Sequence, residues 1–298
     1  MKKFNSLKKS VRDNIVGYTM ILPALLLLVI IGIVPIIITV SYSFQYKVLT
    51  DPLNTHFVGL ENYVSLLSSK QFWEALWNTV VFAALSMGIE LVVGFTGALL
   101  MNSAKKFVGV IRTAVLIPWA IPGIIIAYMF SFMFNDQLGV VNQLLQIMHF
   151  INYPVSWLTN GPAAMLAVVL ADTWKQFPYI SLMIFAGLQT IPKDVYEAAQ
   201  IDGAGRAATF WRITLPNLKQ ILLIVLLFRT MGAIRIFDII FGITGGGPAN
   251  ATATLLFQAY KYLFGDMNFG LGSALSTIIT ILILICSFVY IKVLKTDD

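Results

Sequence analysis

Charge is scarce in this chain. Of its 298 residues only 11% are Asp, Glu, Lys or Arg, while 58% are hydrophobic. That balance excludes a soluble globule of ordinary surface chemistry. Cysteine is nearly absent: Cys286 stands alone in an apolar run, so there is no disulfide framework and no thiol pair. A lone cysteine of this kind is a small apolar residue. Histidine is almost as rare. His56 and His149 lie far apart, with no H-E-x-x-H pattern and no cysteine beside them, so no metal site is expected. There is no G-x-x-x-x-G-K phosphate loop and no G-x-S-x-G nucleophile elbow. The scattered carboxylates form no pair that sequence can set at glycosidase distance. An enzymatic reading therefore has nothing to stand on.

Long apolar runs are what the chain does have. Crossing about 30 Å of hydrocarbon takes roughly 20 apolar residues in a helix. Candidate spans are Tyr18 to Phe44, Thr79 to Met101, Ala114 to Phe134, Ala163 to Leu188, Ile221 to Ile243 and Leu271 to Val293. These predict an all-α integral membrane protein with six transmembrane helices. The runs are too long, and alternate too little, for the strands of a membrane barrel.

The net charge of +6 is distributed in a way that argues against nucleic acid. Lys2, Lys3, Lys8, Lys9 and Arg12 precede the first span, and Lys105, Lys106 and Arg112 lie between the second and third. Lys193, Arg206, Arg212 and Lys219 lie between the fourth and fifth, and Lys292 and Lys295 close the chain. The opposite loops hold only Lys47, Lys70 and Lys261. This alternation is the positive-inside pattern and puts both termini on the cytoplasmic side of the membrane. A nucleic-acid surface would instead gather its basic residues on one soluble face.

The first apolar run is about twice as long as a signal-peptide core and has no small-x-small cleavage site near Ser43. It reads as a retained span, interrupted by Pro23 and Pro35. The expected layout is a cytoplasmic tail over 1–17, a first transmembrane helix over 18–44, an external loop over 45–74 and a membrane core over 75–293. The external connections contain a short amphipathic piece at Tyr63 to Leu67, an interfacial helix at Val140 to Phe150 and an anchoring Trp157. No internal repeat or low-complexity tract divides the chain.

One polar interruption stands out between the fourth and fifth spans. It reads Glu197-Ala198-Ala199, two residues, Asp202-Gly203-Ala204, then Phe210, Ile213, Leu215 and Pro216. Asp194 and Glu197 have the spacing of a capping box. Val195 to Ile201 then makes about two turns, and Gly203 suits a left-handed C-terminal position. A second short helix is expected over Arg206 to Trp211, stopped by Pro216. In order and spacing this segment closely resembles the cytoplasmic loop of the membrane-spanning subunits of ABC importers. A second proline often found four residues after Leu-Pro is here Gln220.

The resemblance extends along most of the chain. Phe237 to Pro248 with Thr252, Thr254, Leu255 and Tyr260, and Trp174-Lys175 with Pro178, look like the permeases of maltose, lactose, multiple-sugar and glycerol-3-phosphate importers. It implies an ABC importer type I permease fold in the cytoplasmic (inner) membrane, without the large external insertion of one maltose subunit. It also implies an ATP-driven uptake system for a carbohydrate or sugar-like solute. The partners it implies are a second related permease, two cytoplasmic ATP-binding subunits and an external solute-binding protein. No cofactor is expected in this chain, with ATP and Mg on the partner ATPase. Residues 190–219 would be the loop that couples it to that ATPase. A permease of the same architecture for a polyamine or amino acid would keep the loop. A secondary transporter would not use it, and would show paired broken helices from an internal repeat.

Ionisable residues inside the spans are the second candidate site. Glu90, Asp172, Lys175, Arg229, Arg235 and Asp238 are costly in hydrocarbon, at least about 2.5–3.5 kcal/mol each at its centre. Such groups pair or face a solute pathway. Asp172 and Lys175 share one helix face, and so do Arg235 and Asp238. Counting along the helices places Asp172 and Arg235 at one height, as a structural pair or as two solute contacts. Trp174 and Tyr179 lie near the charges, and aromatic rings beside polar groups suit a sugar.

The Gly245-Gly-Gly-Pro248 segment lacks the lysine of a phosphate loop. It reads as a flexible turn capping the fifth span.

Overall fold

In a computed structural model of the chain, residues 9–104 and 107–295 are described. Lys2, Lys3, Lys8, Lys105 and Lys106, part of the charge argument, lie outside them. The chain is helical almost throughout, and its residues divide into two units.

The first unit comprises residues 9–66 with Tyr262–Thr277. Helix α1 (Lys9–Leu27) runs through a π-helical turn (Leu28–Ile33) into α2 (Val34–Ser43). Pro23 is accommodated inside α1, and the π turn ends two residues before Pro35. A proline has no N–H to give and crowds the carbonyl four residues back, which the wider turn relieves. A two-stranded ribbon follows, β1 (Gln45–Tyr46) antiparallel to β2 (His56–Phe57). The unit also includes the start of α3 (Glu61–Ser68). Buried Asn62 fixes the ribbon by donating to the Ser43 and Gln45 carbonyls, both at 2.9 Å. The Phe269 amide donates to the Lys47 carbonyl at 2.8 Å.

The second unit, Leu67–Lys261 with residues 278–295, holds the core. Helix α4 (Lys70–Ser103) is followed by α5 (Val108–Ala120) and α6 (Gly123–Met133), which meet at 90°. A surface helix α7 (Val140–Ile147) leads to the long α8 (Gly161–Leu188). Then come α9 (Lys193–Ile201), α10 (Arg206–Thr209), a π-helical turn (Phe210–Thr214) and α11 (Leu215–Asn217). Helices α12 (Lys219–Ile234), α13 (Asp238–Ile243) and α14 (Leu255–Tyr260) follow. The last helix, α15 (Phe269–Lys295), begins in the first unit's residues and ends in the second's.

Among the described residues, three straight helices are long and apolar enough to cross a membrane, and two bent pairs bring that to five. Helix α8, the fourth expected span, is the one left out of that count. Its 28 residues would reach about 42 Å. Its middle, Asp172 to Gln176, is polar, and α8 is also the helix most enclosed by others. Fifteen of its residues are buried, so protein rather than lipid surrounds its polar centre. Small residues let α4 approach it closely: a Cβ on Gly94 would come within 2.5 Å of Ile180. Large apolar side chains fill the core, with Phe82, Ile126, Val168 and Ile240 fully buried in one cluster.

The expected fifth span is broken rather than continuous. It stops at Ile234, Arg235 adopts non-helical angles, and a new helix starts at Asp238. Arg235 and Asp238 therefore do not share one helix face. The Gly245–Pro248 turn is also less loose than the sequence suggests. Gly245 and Gly246 take positive φ (57° and 82°), and the Gly247–Pro248 bond is cis. Thr252 Oγ donates to the Gly247 carbonyl at 2.8 Å, and Asn78 donates to the Asn250 and Ala253 carbonyls.

Candidate functional site

The polar interruption folds into a helix–turn–helix. Pro192, not Asp194, precedes the first helical residue, so α9 begins earlier than a capping box would set it. Asp194 falls in the first turn, where its charge faces the positive end of the helix dipole. The C-terminal end follows the sequence closely. Gly203 takes φ +77°, its amide donates to Gln200 (3.1 Å), and the Ala204 amide donates to Ala199 (2.9 Å). That pair of bonds is a Schellman motif.

The second arm is not stopped at Pro216. The chain passes through the π turn into α11, breaks at Leu218 and bends 66° into α12. Leu218 is fully buried, and Phe210 meets Phe95 of α4 edge-on at 5.6 Å. Those contacts fix one end of the loop to the core. Glu197, Ala198, Asp202 and Gly203 are exposed, whereas Ala199 is buried against the loop's own interior. Val195, Ala198, Asp202, Ala204, Arg212 and Ile213 line an open groove of about 570 Å³ between the two arms. Leu215 is half-buried and Pro216 exposed.

The buried charges come together on three helices. Arg229 of α12 donates from Nε to Glu90 Oε2 and from Nη2 to Glu90 Oε1 (2.7 Å), both on α4. Its Nη2 also donates to Asp172 Oδ2 on α8. Glu90 and Asp172 are wholly buried and Arg229 is 5% exposed. The two-point contact with Glu90 is the fork geometry of an ionised guanidinium–carboxylate pair. The partner of Asp172 is thus Arg229, and Arg235 instead donates to the Met231 carbonyl at 3.3 Å. Counting residues from helix ends misjudges height here for two reasons. The chain bends into α12, and a guanidinium on its flexible stem reaches well beyond its own turn.

Beside this cluster lies a cavity of about 170 Å³, walled by Asp172, Lys175 and Gln176 of α8, Arg229 of α12, and Arg235 and Asp238 at the break. Asp172 Oδ1 has no hydrogen-bond partner. The side chains of Lys175, Gln176 and Asp238 make no hydrogen bond or ion pair with any described residue. Trp174 and Tyr179 are elsewhere. Trp174 packs on Phe130 (5.9 Å), and Tyr179 stacks on Trp119 (6.3 Å) more than one turn nearer the loop. One polar hub escaped the sequence reading. Asn142 of α7, 3% exposed, bonds to Asp136, Val155 and Trp157, so Trp157 is tied to protein rather than free as a membrane anchor.

A helical membrane protein with a polar cavity between its helices and an exposed helix–turn–helix joining two of the helices that wall it has the construction of a transport permease. The chain belongs to the family of binding-protein-dependent transport system inner membrane components, whose model matches residues 90–296. It is 42% identical over 287 residues to the trehalose/maltose transport system permease protein MalF of Thermococcus litoralis, covering 96% of each chain. It is 36% identical over 286 residues to the sulfoquinovosyl glycerol transport system permease protein SmoG of Agrobacterium fabrum, covering 96% of this chain and 92% of that one. Its fold matches a chain of a bacterial ABC transporter that imports the acidic polysaccharide alginate, with TM-score 0.83, 22% identity and 97% and 98% coverage. The protein is therefore a multi-pass membrane component of a transport system that depends on a binding protein.

Proposed function

We propose that this chain is one of two related permease subunits of an ATP-driven ABC importer that moves a carbohydrate inward across the cytoplasmic membrane. Both termini lie inside. Two ATP-binding subunits, which hold ATP and Mg, engage the exposed loop at Glu197, Ala198, Asp202 and Gly203. A solute-binding protein delivers cargo from outside, and the cavity beside Asp172 forms part of the route. The carbohydrate assignment is supported by relatives whose names specify trehalose, maltose and a sulfosugar glycerol.

One observation carries the coupling reading. The loop from Lys193 to Asn217 directly joins α8, which bears Asp172 and Lys175, to α12, which bears Arg229. A rigid displacement of the loop would thus move two walls of the cavity together. Without such a link, ATP hydrolysis outside the membrane has no mechanical path to the solute.

The test is reconstitution of the chain with its second permease, ATPase and binding protein in vesicles. ATP-dependent accumulation of radiolabelled maltose or trehalose is expected, and Glu197→Ala should lower it together with ATPase stimulation. Uptake that runs without ATP, or that ignores the loop variant, would reject the assignment.

A further inference from the structure

The charges around the cavity balance, and the balance depends on a residue that does not line it. Arg229 is shared by two carboxylates, Glu90 and Asp172, so that cluster alone would carry an excess negative charge in a low-dielectric interior. Lys175, one helical turn from Asp172 on the same cavity wall, supplies the compensating positive charge. At the break, Arg235 and Asp238 add one charge of each sign to the lining. Glu90 stands behind Arg229, wholly buried and absent from the lining. Without it the lining would hold three cations against two carboxylates.

We infer that Glu90 is a specificity-determining residue: by cancelling the charge of Arg229 from behind, it sets the cavity for an uncharged polyhydroxylated solute and against an anionic one. Two further features fit that chemistry. Asp172 Oδ1 lacks a donor, and a buried acceptor without one costs free energy that a solute hydroxyl would remove. The side chains of Lys175, Gln176 and Asp238 offer donors and acceptors of both kinds with no partner among the described residues, which matches hydroxyl groups that both give and accept. A phosphate or sulfonate would need a net positive wall, and Glu90 removes it. This inference rests on the carbohydrate reading above and selects among the solute charges that reading leaves open.

The experiment uses the assembled transporter in vesicles, with Cys286→Ala and Ile236→Cys, an apolar position on the cavity lining that offers solute no polar side chain. Occupancy of the cavity is read as protection of the introduced thiol from a thiol reagent by maltose, trehalose or glycerol 3-phosphate. The neutral sugars should protect and the phosphate should not. Adding Glu90→Gln should raise protection by glycerol 3-phosphate relative to maltose by about tenfold, the order expected for one uncompensated charge in a partly buried site. Asp238→Asn, exposed and outside the buried cluster, should shift the ratio the same way even if Glu90→Gln does not assemble. A loss of packing alone would not change this ratio.

The inference is overturned if the phosphate protects the parent as well as maltose does. An unchanged ratio in Glu90→Gln or in Asp238→Asn overturns it too. ATP-driven uptake of a sugar that gives no protection overturns this inference while leaving the importer assignment standing. Absence of uptake for every carbohydrate tried defeats the assignment itself, and this inference with it.

Discussion

Replacing Arg229 by Met should be among the most damaging single changes in the protein. The guanidinium makes three charge-assisted hydrogen bonds, two to Glu90 and one to Asp172. Met keeps the apolar stem and removes only the charged head. Glu90 is wholly buried and absent from the cavity lining, so no water can take over from the donors it loses. Breaking a buried ion pair by removing one partner costs about 3–5 kcal/mol, because the orphaned charge is worse than the pair was good. Here two carboxylates are orphaned and brought face to face, which argues for the upper half of that range. For a chain of this size the loss corresponds to a fall of roughly 10 °C in the unfolding midpoint. The assay is thermal unfolding of the purified protein in a lipid-containing detergent, followed by tryptophan fluorescence. Arg235→Met is the control, since Arg235 is exposed and bonds only to a carbonyl one turn back on its own helix. It should change stability by about 0.5 kcal/mol or less. The neutral triple variant Glu90→Gln, Asp172→Asn, Arg229→Met should regain at least half of the loss, since it leaves no unpaired charge. Equal melting of Arg229→Met and Arg235→Met, or a triple variant no better than the single one, would refute the claim that the cluster joins these helices.

Gly203→Val should uncouple ATP hydrolysis from uptake while leaving membrane insertion intact: φ is +77° there, and a β-branched residue at such an angle costs about 1–3 kcal/mol locally. Normal transport with normal ATPase stimulation would show that the Schellman turn does not matter for docking. In a Cys286→Ala background, a Cys at Asn160 should react with an impermeant thiol reagent from outside, and tags at the two termini should be reached only from inside. External access to either terminus reverses the orientation. Asn142→Leu should lower stability by about 2–4 kcal/mol, because it strands the Trp157 indole and the Val155 backbone groups that Asn142 now satisfies. A change in unfolding midpoint within error would mean that water replaces those bonds.

Much of this architecture was legible from hydrophobic run length alone, because a membrane requires long apolar helices and little else competes with that signal. The turn of the loop was legible because Gly203 is constrained by backbone geometry, which local sequence reports directly, and the rest of the loop by the order and spacing it shares with the importer family. The capping box failed because Pro192 supplies a helix start of its own, and proline just before or at the first turn needs no side-chain cap. That charges would cluster on Glu90, Asp172 and Arg229 could be anticipated from cost, but the pairing could not. Which carboxylate meets which cation depends on the bend at Leu218 and on side-chain reach, and neither has a local signature. Trp174 and Tyr179 were assigned by proximity in sequence. Three-dimensional packing put Phe130 and Trp119 against them instead.

The broken helices bear on what such breaks signify. In hydrocarbon every backbone polar group needs an internal partner, so irregular backbone is tolerated only where it is buried in protein or lines a cavity. Both conditions are met here. The α5–α6 break precedes Gly123, and the α12–α13 break spans Arg235 to Phe237; all of these line the same cavity. The freed groups are satisfied locally: Ile121 donates to Pro118, Arg235 to Gly232 and Ile236 to Ala233, while Thr254 donates to the Ile236 carbonyl. The two breaks also face each other, since a Cβ on Gly123 would come within 2.9 Å of Asp238. A secondary transporter is expected to show paired broken helices from an internal repeat; here helices break with no such repeat in the sequence, in a component of a binding-protein-dependent system. Such breaks therefore do not distinguish the source of energy. A broken helix supplies backbone groups and a bend at a cavity, whatever drives the transport. On the coupling role proposed above, what separates the two classes in this chain is the exposed helix–turn–helix between α8 and α12.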